Sequence, residues 1–352
     1  AEPICVMTLL WQAVRRRARP RRCPTARGSA RTTSSKPAIV AATKAGLDAG
    51  RTHYTPLHGE PALRAAIART EGCEPGNVMV MPGAQHSCLA VLTLIAGEGE
   101  RMQRDGWYSI ALAPGDLEPA QAIGRRAAQR ALARMDPRPI PTGTYPVLFQ
   151  AEIARSLIGH LLGAISGGAL YRRASFLLDS VGTPLFPDWF SIRERPFLMR
   201  GFQSSAFDAE GVATRESPIV EAGVLQRYVL GSYSARKLGL QTTGNAGGVH
   251  NLEIASNAGD LDAMVRGMGR GLLVTELMGQ GVNGVTGDYS RGAAGFWVED
   301  GALAYPVDEL TIAGNLRDMF ARIEAVGSEV DPRSHIRTGP ILVGRMTVAG
   351  GE

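Results

Sequence analysis

Lysine is scarce in this 352-residue chain, because it occurs only at Lys36, Lys44 and Lys237 while nearly all the other basic residues are arginine. The formal net charge of +5 owes much to one run near the start, VRRRARPRR over residues 14–22. That run has no interleaved aromatic residues, so we interpret it as a Pro- and Arg-rich leader rather than a nucleic-acid-binding arm. We therefore predict that residues 1–36 form a disordered basic leader, and we expect no nucleic-acid partner.

Cysteine pairs with metal-binding spacing and long apolar runs are also lacking. The four cysteines, Cys5, Cys23, Cys73 and Cys88, show no CxxC spacing, which argues against a cysteine zinc knuckle and a disulfide framework. Such cysteine usage fits a reducing compartment, so we expect a cytoplasmic protein. No apolar run approaches the roughly 18 residues of a spanning helix, so we expect no membrane partner.

The turn-rich segment DPRPIPTGTYP, residues 136–146, predicts a domain boundary. We predict an α+β fold, in which a short α/β N-terminal segment precedes a mainly antiparallel β C-terminal domain with a few helices. The predicted parts after the leader are residues 37–98, residues 99–137 and residues 138–352.

Local patterns predict several elements of this fold. An apolar run at 87–97 predicts a helix, and an amphipathic pattern at 116–135 predicts a second helix with Ile123, Ala127, Ala131 and Leu132 facing inward. FWVEDGALAYPV predicts a hairpin that turns at Asp300 and Gly301. GVLQRYVLGSY and PILVGRMTVAG predict strands. NLRDMFARIEAVG predicts a helix that Asn315 caps and Gly327 ends.

Glycine is dense between Gly244 and Gly295, in stretches such as TGNAGGVHN and MGQGVNGVTGDYSRGAAG. Glycine permits positive φ and close approach of another backbone. These stretches could bind a peptide or a phosphate through main-chain groups, or they could be turns between short strands. The pattern alone leaves both interpretations open.

Two motifs in the first third, RTHYTPLHGEPALRAAIA (Arg51–Ala68) and NVMVMPGAQHS (Asn77–Ser87), resemble the N-terminal portion of class I/II pyridoxal-phosphate aminotransferases. The resemblance covers about residues 36–97. It implies that Tyr54 and the turn formed by Gly83, Ala84 and Gln85 match phosphate-binding positions. A pyridoxal-phosphate enzyme also needs a Schiff-base lysine after a large cofactor domain, which the chain lacks. With Lys237 as the late lysine, such an enzyme is an alternative.

A longer set of motifs spans residues 97–352 and includes IPTGTYPVLF, GHLLGAISGGALYRRASFLLDSVG, SYSARKLGLQTTGNAGGVHNL and VTELMGQGVNGVTGDYSRGAAGFWVEDG. These motifs resemble the TldD/PmbA metallopeptidase family, in its PmbA (TldE) branch. By this resemblance residues 99–137 are a remnant of the family's N-terminal α/β domain and residues 138–352 its β-rich C-terminal domain. The chain then looks like a fusion with the aminotransferase-like segment.

The TldD branch of this family carries an HExxxH zinc helix, and that motif aligns with ARSLIGH in this chain. The first histidine falls on Arg155, the glutamate on Ser156 and the second histidine on His160. A permanent guanidinium cation repels Zn²⁺ instead of ligating it. Serine is no general base at neutral pH without a partner, so we predict a degenerate zinc motif, with no metal and no catalytic residue in this chain.

The resemblance implies a subunit that assembles, as a dimer, with a TldD-type partner supplying zinc and base. The pair would act on unfolded or small peptides, with this chain contributing peptide binding and assembly. An independent metallohydrolase and a non-catalytic interaction module remain alternatives. The candidate substrate-binding residues are polar residues in or near the glycine-rich stretches: His160, Asn245, His250, Asn251, Gln280, Asn283, Asp288, Tyr289 and Arg291.

Overall fold

The computed structural model describes residues 65, 68, 69, 89–98 and 102–350. These residues fall into two units, one with the described residues up to 92 together with 107–125, the other with 93–106 and 126–350. The predicted leader lies outside the described residues, as do the aminotransferase-like motifs apart from positions 65 and 68. None of the helices among the described residues combines the length and the hydropathy of a membrane-spanning segment.

Strands β1 (Leu89–Ala96) and β2 (Gln103–Ile110) form a two-stranded sheet. The predicted helix at 87–97 is therefore wrong. Its apolar run has no helical period, and a short apolar run of that kind fits a strand equally well. After the 3₁₀ turn Pro114–Asp116 comes α1 (Ala120–Ala133), which confirms the second predicted helix.

Three of the four residues predicted to face inward from α1, namely Ile123, Ala127 and Ala131, are buried. The fourth, Leu132, is 62% exposed, which contradicts the prediction. Ala127 and Ala131 are four residues apart and share a face, whereas Leu132 is one residue further on and turns away from it.

The second unit holds the remaining elements. Its strands are β3 (Gly143–Phe149), β4 (Ile192–Glu194), β5 (Ser217–Glu221), β6 (Val224–Leu225), β7 (Leu252–Ile254), β8 (Gly271–Met278), β9 (Asp288–Glu299), β10 (Ala302–Asn315), β11 (Ile323–Val326), β12 (Ile336–Arg337) and β13 (Ile341–Ala349). Its helices are α2 (Ala151–Ala164), α3 (Gly167–Tyr171), α4 (Ser232–Leu238), α5 (Leu261–Met268) and α6 (Leu316–Ala321).

The main sheet has the strand order β10-β9-β8-β3-β13-β11, and an additional pairing of β10 with β13 joins five of these strands into a ring. Only β3 and β8 run parallel within it. A second sheet has the order β12-β7-β4-β5-β6, antiparallel except for β12 and β7. The predicted α+β class, mainly antiparallel with a few helices, is confirmed.

Successive residues of the main strands pack into different clusters because side chains alternate across a sheet. On β3, Val147 and Phe149 join the large core cluster that also receives the buried face of α2. The residue between them, Leu148, joins a smaller cluster with Met264 and Val265 of α5. The main sheet is thus covered by helices on both faces, and α2 lies on the side of the larger core.

The β9–β10 hairpin turns at Asp300 and Gly301, both at positive φ, as predicted. β13 confirms the strand predicted over 340–350. The helix predicted over 315–327 is correct only in its first half, where the Asn315 side chain caps α6 by accepting from Arg317 N. The second half is β11, because Ile323 and Val326 pair with β13 and enter the large core. Of the strand predicted over 223–233, only β6 is regular strand.

Candidate functional site

The first half of α2 carries Arg155 and Ser156, which the sequence resemblance aligns with a zinc ligand and its base. Arg155 Nη1 lies 3.6 Å from Oδ2 of buried Asp331. Arg333 connects Asp331 to Glu152, with its Nε 2.8 Å from Asp331 Oδ1 and its Nη2 3.0 Å from Glu152 Oε1. Arg155 therefore belongs to a network of alternating charges, which is a structural arrangement.

Ser156 is equally engaged, since its Oγ donates to Ile153 O at 2.7 Å within the same helix. A serine hydroxyl bonded to the preceding helical turn has no base to activate it. In the part of the chain that the structure describes, no group of three His, Cys, Asp or Glu side chains could hold a metal ion. The residues at the positions of the zinc motif do not fit zinc.

His160 lies one turn further along α2, with its ring edge-on to Tyr289 at a centroid distance of 5.8 Å. Tyr289 and Arg291 are two residues apart on β9 and share a face of the strand. Together these three residues form what we call the His160 cluster. Tyr289 is only 1% exposed, while His160 and Arg291 are half-buried.

The electrostatics of the His160 cluster follow from burial and from one cation. Burial lowers the pKa of His160, and the positive charge of Arg291 lowers it further. Burial raises the pKa of Tyr289 to about 12, against an opposing effect of Arg291. At neutral pH the cluster therefore holds a neutral imidazole, a protonated phenol and a guanidinium cation.

The polar atoms of the His160 cluster are poorly satisfied. His160 Nε2, Tyr289 Oη and Arg291 Nε are all shielded from solvent, and none makes a hydrogen bond of proper geometry with the described residues. Buried polar groups in native proteins nearly always have a partner. Three such atoms in neighbouring side chains mark this cluster as unusual.

Asn245 and His250, two other predicted site residues, meet around a buried carboxylate that the sequence did not reveal, that of Glu194. Glu194 Oε1 accepts from Asn245 Nδ2 at 2.8 Å and from His250 N at 2.7 Å, and lies 3.0 Å from His250 Nδ1. Arg227 forms an ion pair with the other carboxylate oxygen. Burial lowers the pKa of Arg227, and Glu194 opposes that effect.

These four residues, Glu194, Arg227, Asn245 and His250, form what we call the Glu194 cluster. An open hollow of about 460 Å³ adjoins it and shares Arg227 with it. Its other walls include Tyr228, Leu230 and Leu240 together with Gln226. Asp179, Gln241 and Thr243 also line it, so the hollow offers apolar surface together with polar groups.

The remaining predicted site residues serve loops. Asn251 fixes the segment after β4, since its Nδ2 donates to Arg195 O at 3.1 Å and its Oδ1 accepts from Gln203 N at 3.0 Å. Asn283 Oδ1 accepts from Val285 N at 2.9 Å in a tight turn. Side chains that bond the nearby backbone in this way stabilise turns.

Two more of the predicted residues, Asp288 and Gln280, lie in or beside the same glycine-rich turn. Asp288 accepts from Thr286 Oγ1 at 2.6 Å, and Gln280 is exposed, with its carbonyl accepting from Val282 N. At Gly281, a Cβ would lie 1.9 Å from the Ser290 carbonyl oxygen, so this glycine permits a close backbone approach. The role of all nine residues in substrate binding stays a prediction.

Lys237, the late candidate for a Schiff base, is exposed on α4 with its Nζ over the Tyr233 ring at 5.8 Å. An exposed lysine with no desolvating pocket does not fit the requirement for a reactive amine. The other aminotransferase-like residues, Tyr54 and Gly83 to Gln85, lie outside the described residues. That resemblance stays a prediction.

Comparison with protein families gives two matches. Residues 142–350 match the PmbA/TldA metallopeptidase C-terminal domain, and residues 83–135 match the central domain of the same family. The C-terminal match covers the main sheet, the second sheet and α2.

Individual relatives agree with these matches. Metalloprotease PmbA of Escherichia coli O157:H7 is 51% identical over 257 residues, and a PmbA homologue of Haemophilus influenzae is 48% identical over 259. Each match covers 73% of this chain and 57% of the relative, so the chain spans little more than half their length. A TldD homologue of Buchnera aphidicola is 21% identical over 276 residues.

Solved structures show the same architecture. Two proteins named as candidate modulators of DNA gyrase match with TM-scores of 0.70 (Bacteroides thetaiotaomicron, 30% identical) and 0.69 (Thermotoga maritima, 32% identical). TldE of Thermococcus kodakarensis matches with a TM-score of 0.63 at 25% identity. These matches cover 74–75% of this chain and 59–63% of the other chains. On its sequence and its fold, the chain belongs to the PmbA/TldA metallopeptidase family.

Proposed function

We propose that this chain is a PmbA/TldE-type subunit of a cytoplasmic metallopeptidase, which binds peptide and assembles with a zinc-bearing TldD-type partner. The observation that carries the proposal is the ion pair of Arg155 with buried Asp331 at the position of a zinc ligand. A catalytic zinc site usually needs three protein ligands and an open position for water. Here one ligand position holds a fixed cation and the base position holds a hydrogen-bonded serine.

The relatives support the same branch, because the identity to PmbA-named proteins is more than twice that to the TldD homologue. The hollow beside Arg227 and the polar His160 cluster are surfaces that suit an extended peptide and its polar groups. In a partner carrying zinc, the metal would lower the pKa of a bound water and polarise the scissile amide. This chain would supply binding energy and orientation, which place the amide for attack.

The experiment measures zinc content and peptidase activity of the purified full chain, alone and mixed with a TldD-type subunit. We expect no stoichiometric zinc and no cleavage from the chain alone, and cleavage by the mixture well above that of the partner alone. A matched sample contains the partner with an unrelated protein, to exclude simple stabilisation by added protein. Stoichiometric zinc together with cleavage by the chain alone would overturn the proposal.

A further inference from the structure

The His160 cluster contains three donors or potential donors and no negative charge. Arg291 carries a permanent positive charge, and its Nε is shielded from solvent without a hydrogen-bond partner among the described residues. The phenol of Tyr289 keeps its proton, because its pKa is about 12. A site made of a cation and a phenolic O–H favours an acceptor that carries negative charge.

The position of the cluster allows a ligand to reach it. Tyr289 belongs to the large core and is almost fully buried, whereas His160 and Arg291 are half-buried and each keeps part of its side chain accessible to solvent. The start of β9 is covered by the preceding glycine-rich turn, through a bridge between Val282 and Tyr289 and a bond from Ser290 N to Gly281 O. The cluster thus lies beside an exposed turn, at the edge of the core.

The Glu194 cluster is an example of a buried arginine with a structural role in this fold. There, Arg227 has its own carboxylate, and the amide and imidazole groups converge on the same oxygen. The His160 cluster offers an arginine, a hydroxyl and an imidazole without such a carboxylate. Since most buried polar groups in native proteins have a partner, these donors are suited to an acceptor group from another molecule.

We propose that His160, Tyr289 and Arg291 bind a carboxylate group of the peptide, either its C-terminus or an acidic side chain. Arg291 supplies the charge, the Tyr289 hydroxyl donates to one oxygen, and His160 Nε2 completes the shell as donor in the matching tautomer. This inference rests on the proposed peptide-binding role and names the chemical group that is recognised.

The test measures binding of short labelled peptides to the full chain by fluorescence anisotropy. One peptide is prepared as the free acid and as the C-terminal amide, and a second amidated peptide carries either an internal Glu or Gln. We expect the peptide with the recognised carboxylate to bind roughly tenfold or more tightly than its neutral counterpart, since a charge-assisted hydrogen bond is lost otherwise. The two pairs tell whether the terminus or a side chain supplies the group.

Two variants assign the preference to this cluster. Tyr289→Phe removes only the hydroxyl, and Arg291→Gln removes the charge; each is expected to abolish most of the preference for the charged peptide over its neutral counterpart. Tyr305→Phe on the neighbouring strand β10 is the matched control and is expected to keep the preference. Thermal unfolding checks that each variant is folded, and Tyr289→Phe decides alone if Arg291→Gln is not.

The outcomes separate the two proposals. Equal binding of the charged and neutral peptides, or a preference that survives Tyr289→Phe, overturns the carboxylate site and leaves peptide binding intact. Absence of any peptide binding overturns both the site and the peptide-binding role. A preference that depends on Tyr289, in a chain that never supports cleavage with a TldD-type partner, upholds the site and overturns the subunit role.

Discussion

The Glu194 cluster and the His160 cluster are built from similar residues and differ in one respect. Each holds an arginine and a histidine beside the core of the same unit. In the first, Arg227, His250 and Asn245 all contact the buried carboxylate of Glu194. In the second, His160, Tyr289 and Arg291 each present a shielded polar atom without a hydrogen-bond partner among the described residues.

Structural polar residues and candidates for binding differ in where their hydrogen-bond partners lie. A buried polar group with all partners inside the chain contributes to the stability and uniqueness of the fold. A buried polar group without partners costs stability, so its presence points to a partner outside the chain.

The largest loss of stability is expected from a substitution in the Glu194 cluster. Glu194→Gln removes the negative charge and leaves the guanidinium of Arg227 buried without a counter-ion. Breaking a buried ion pair on one side typically costs about 3–5 kcal/mol of the free energy of unfolding. Urea unfolding measures this loss of stability.

The matched control is Glu221→Gln. Glu221 forms an ion pair with Arg193 in which the two side chains are 53% and 50% exposed, respectively. The expected cost of this variant is below about 1 kcal/mol. Equal costs for both variants would contradict the structural role of the Glu194 cluster.

The next prediction compares the hydroxyls of Tyr228 and Tyr289. Their removal is expected to affect the free energy of unfolding differently. The Tyr228 hydroxyl accepts from Ser180 N at 3.0 Å and donates to Leu177 O at 3.2 Å. Tyr228→Phe leaves Ser180 N and Leu177 O without this hydrogen-bond partner, and is expected to lower the free energy of unfolding by about 1–2 kcal/mol. Tyr289→Phe removes a shielded hydroxyl that lies beside Arg291 without a hydrogen bond of proper geometry, and is expected to be neutral or to stabilise by up to about 1 kcal/mol. Both values come from the same unfolding experiment, and a large loss in Tyr289→Phe would show that its hydroxyl is already satisfied.

A smaller loss of stability is expected from substitution of Arg155, in the first half of α2. Arg155→Met is expected to cost about 1 kcal/mol, because the side chain is 31% exposed and Asp331 keeps its pair with Arg333. The charge of Arg155 also lowers the pKa of His335, after the larger effect of burial. The variant is therefore expected to raise the pKa of His335, which NMR titration of its ring protons measures. An unchanged pKa would place Arg155 away from His335.

The sequence predicted the fold where the signal was local. The Asp300–Gly301 hairpin and the Asn315 cap depend on residues that are adjacent along the chain, and both are confirmed. The helix predicted for 87–97 was wrong because apolar character alone does not separate a strand from a helix. β11 was missed because its pairing with β13 decides its structure, and that pairing is not local.

The candidate site divides in the same way. The degenerate motif at Arg155 and Ser156 and the candidates His160, Tyr289 and Arg291 were visible as residue types within motifs. Glu194 was missed because its partners lie 33, 51 and 56 residues away along the chain. No pattern in the segment around Glu194 indicates that its carboxylate is buried. Only the folded chain shows which polar residues satisfy one another.

The smallest expected effect is the dependence of stability on pH. Burial lowers the pKa of both His160 and His335 below the ordinary value of 6.5, with further lowering by Arg291 and Arg155 respectively. On acidification the unfolded chain takes up protons at these histidines near pH 6.5, before the folded chain does. The unfolded state then binds more protons, so the free energy of unfolding falls as the pH falls through about 6.5.

Thermal unfolding between about pH 7.5 and 5.5 measures how steeply stability depends on pH. This dependence is expected to be shallower in His335→Gln. A slope unchanged in His335→Gln would mean that other groups cause the acid sensitivity, and an increase in stability on acidification would mean that the histidines gain protons on folding.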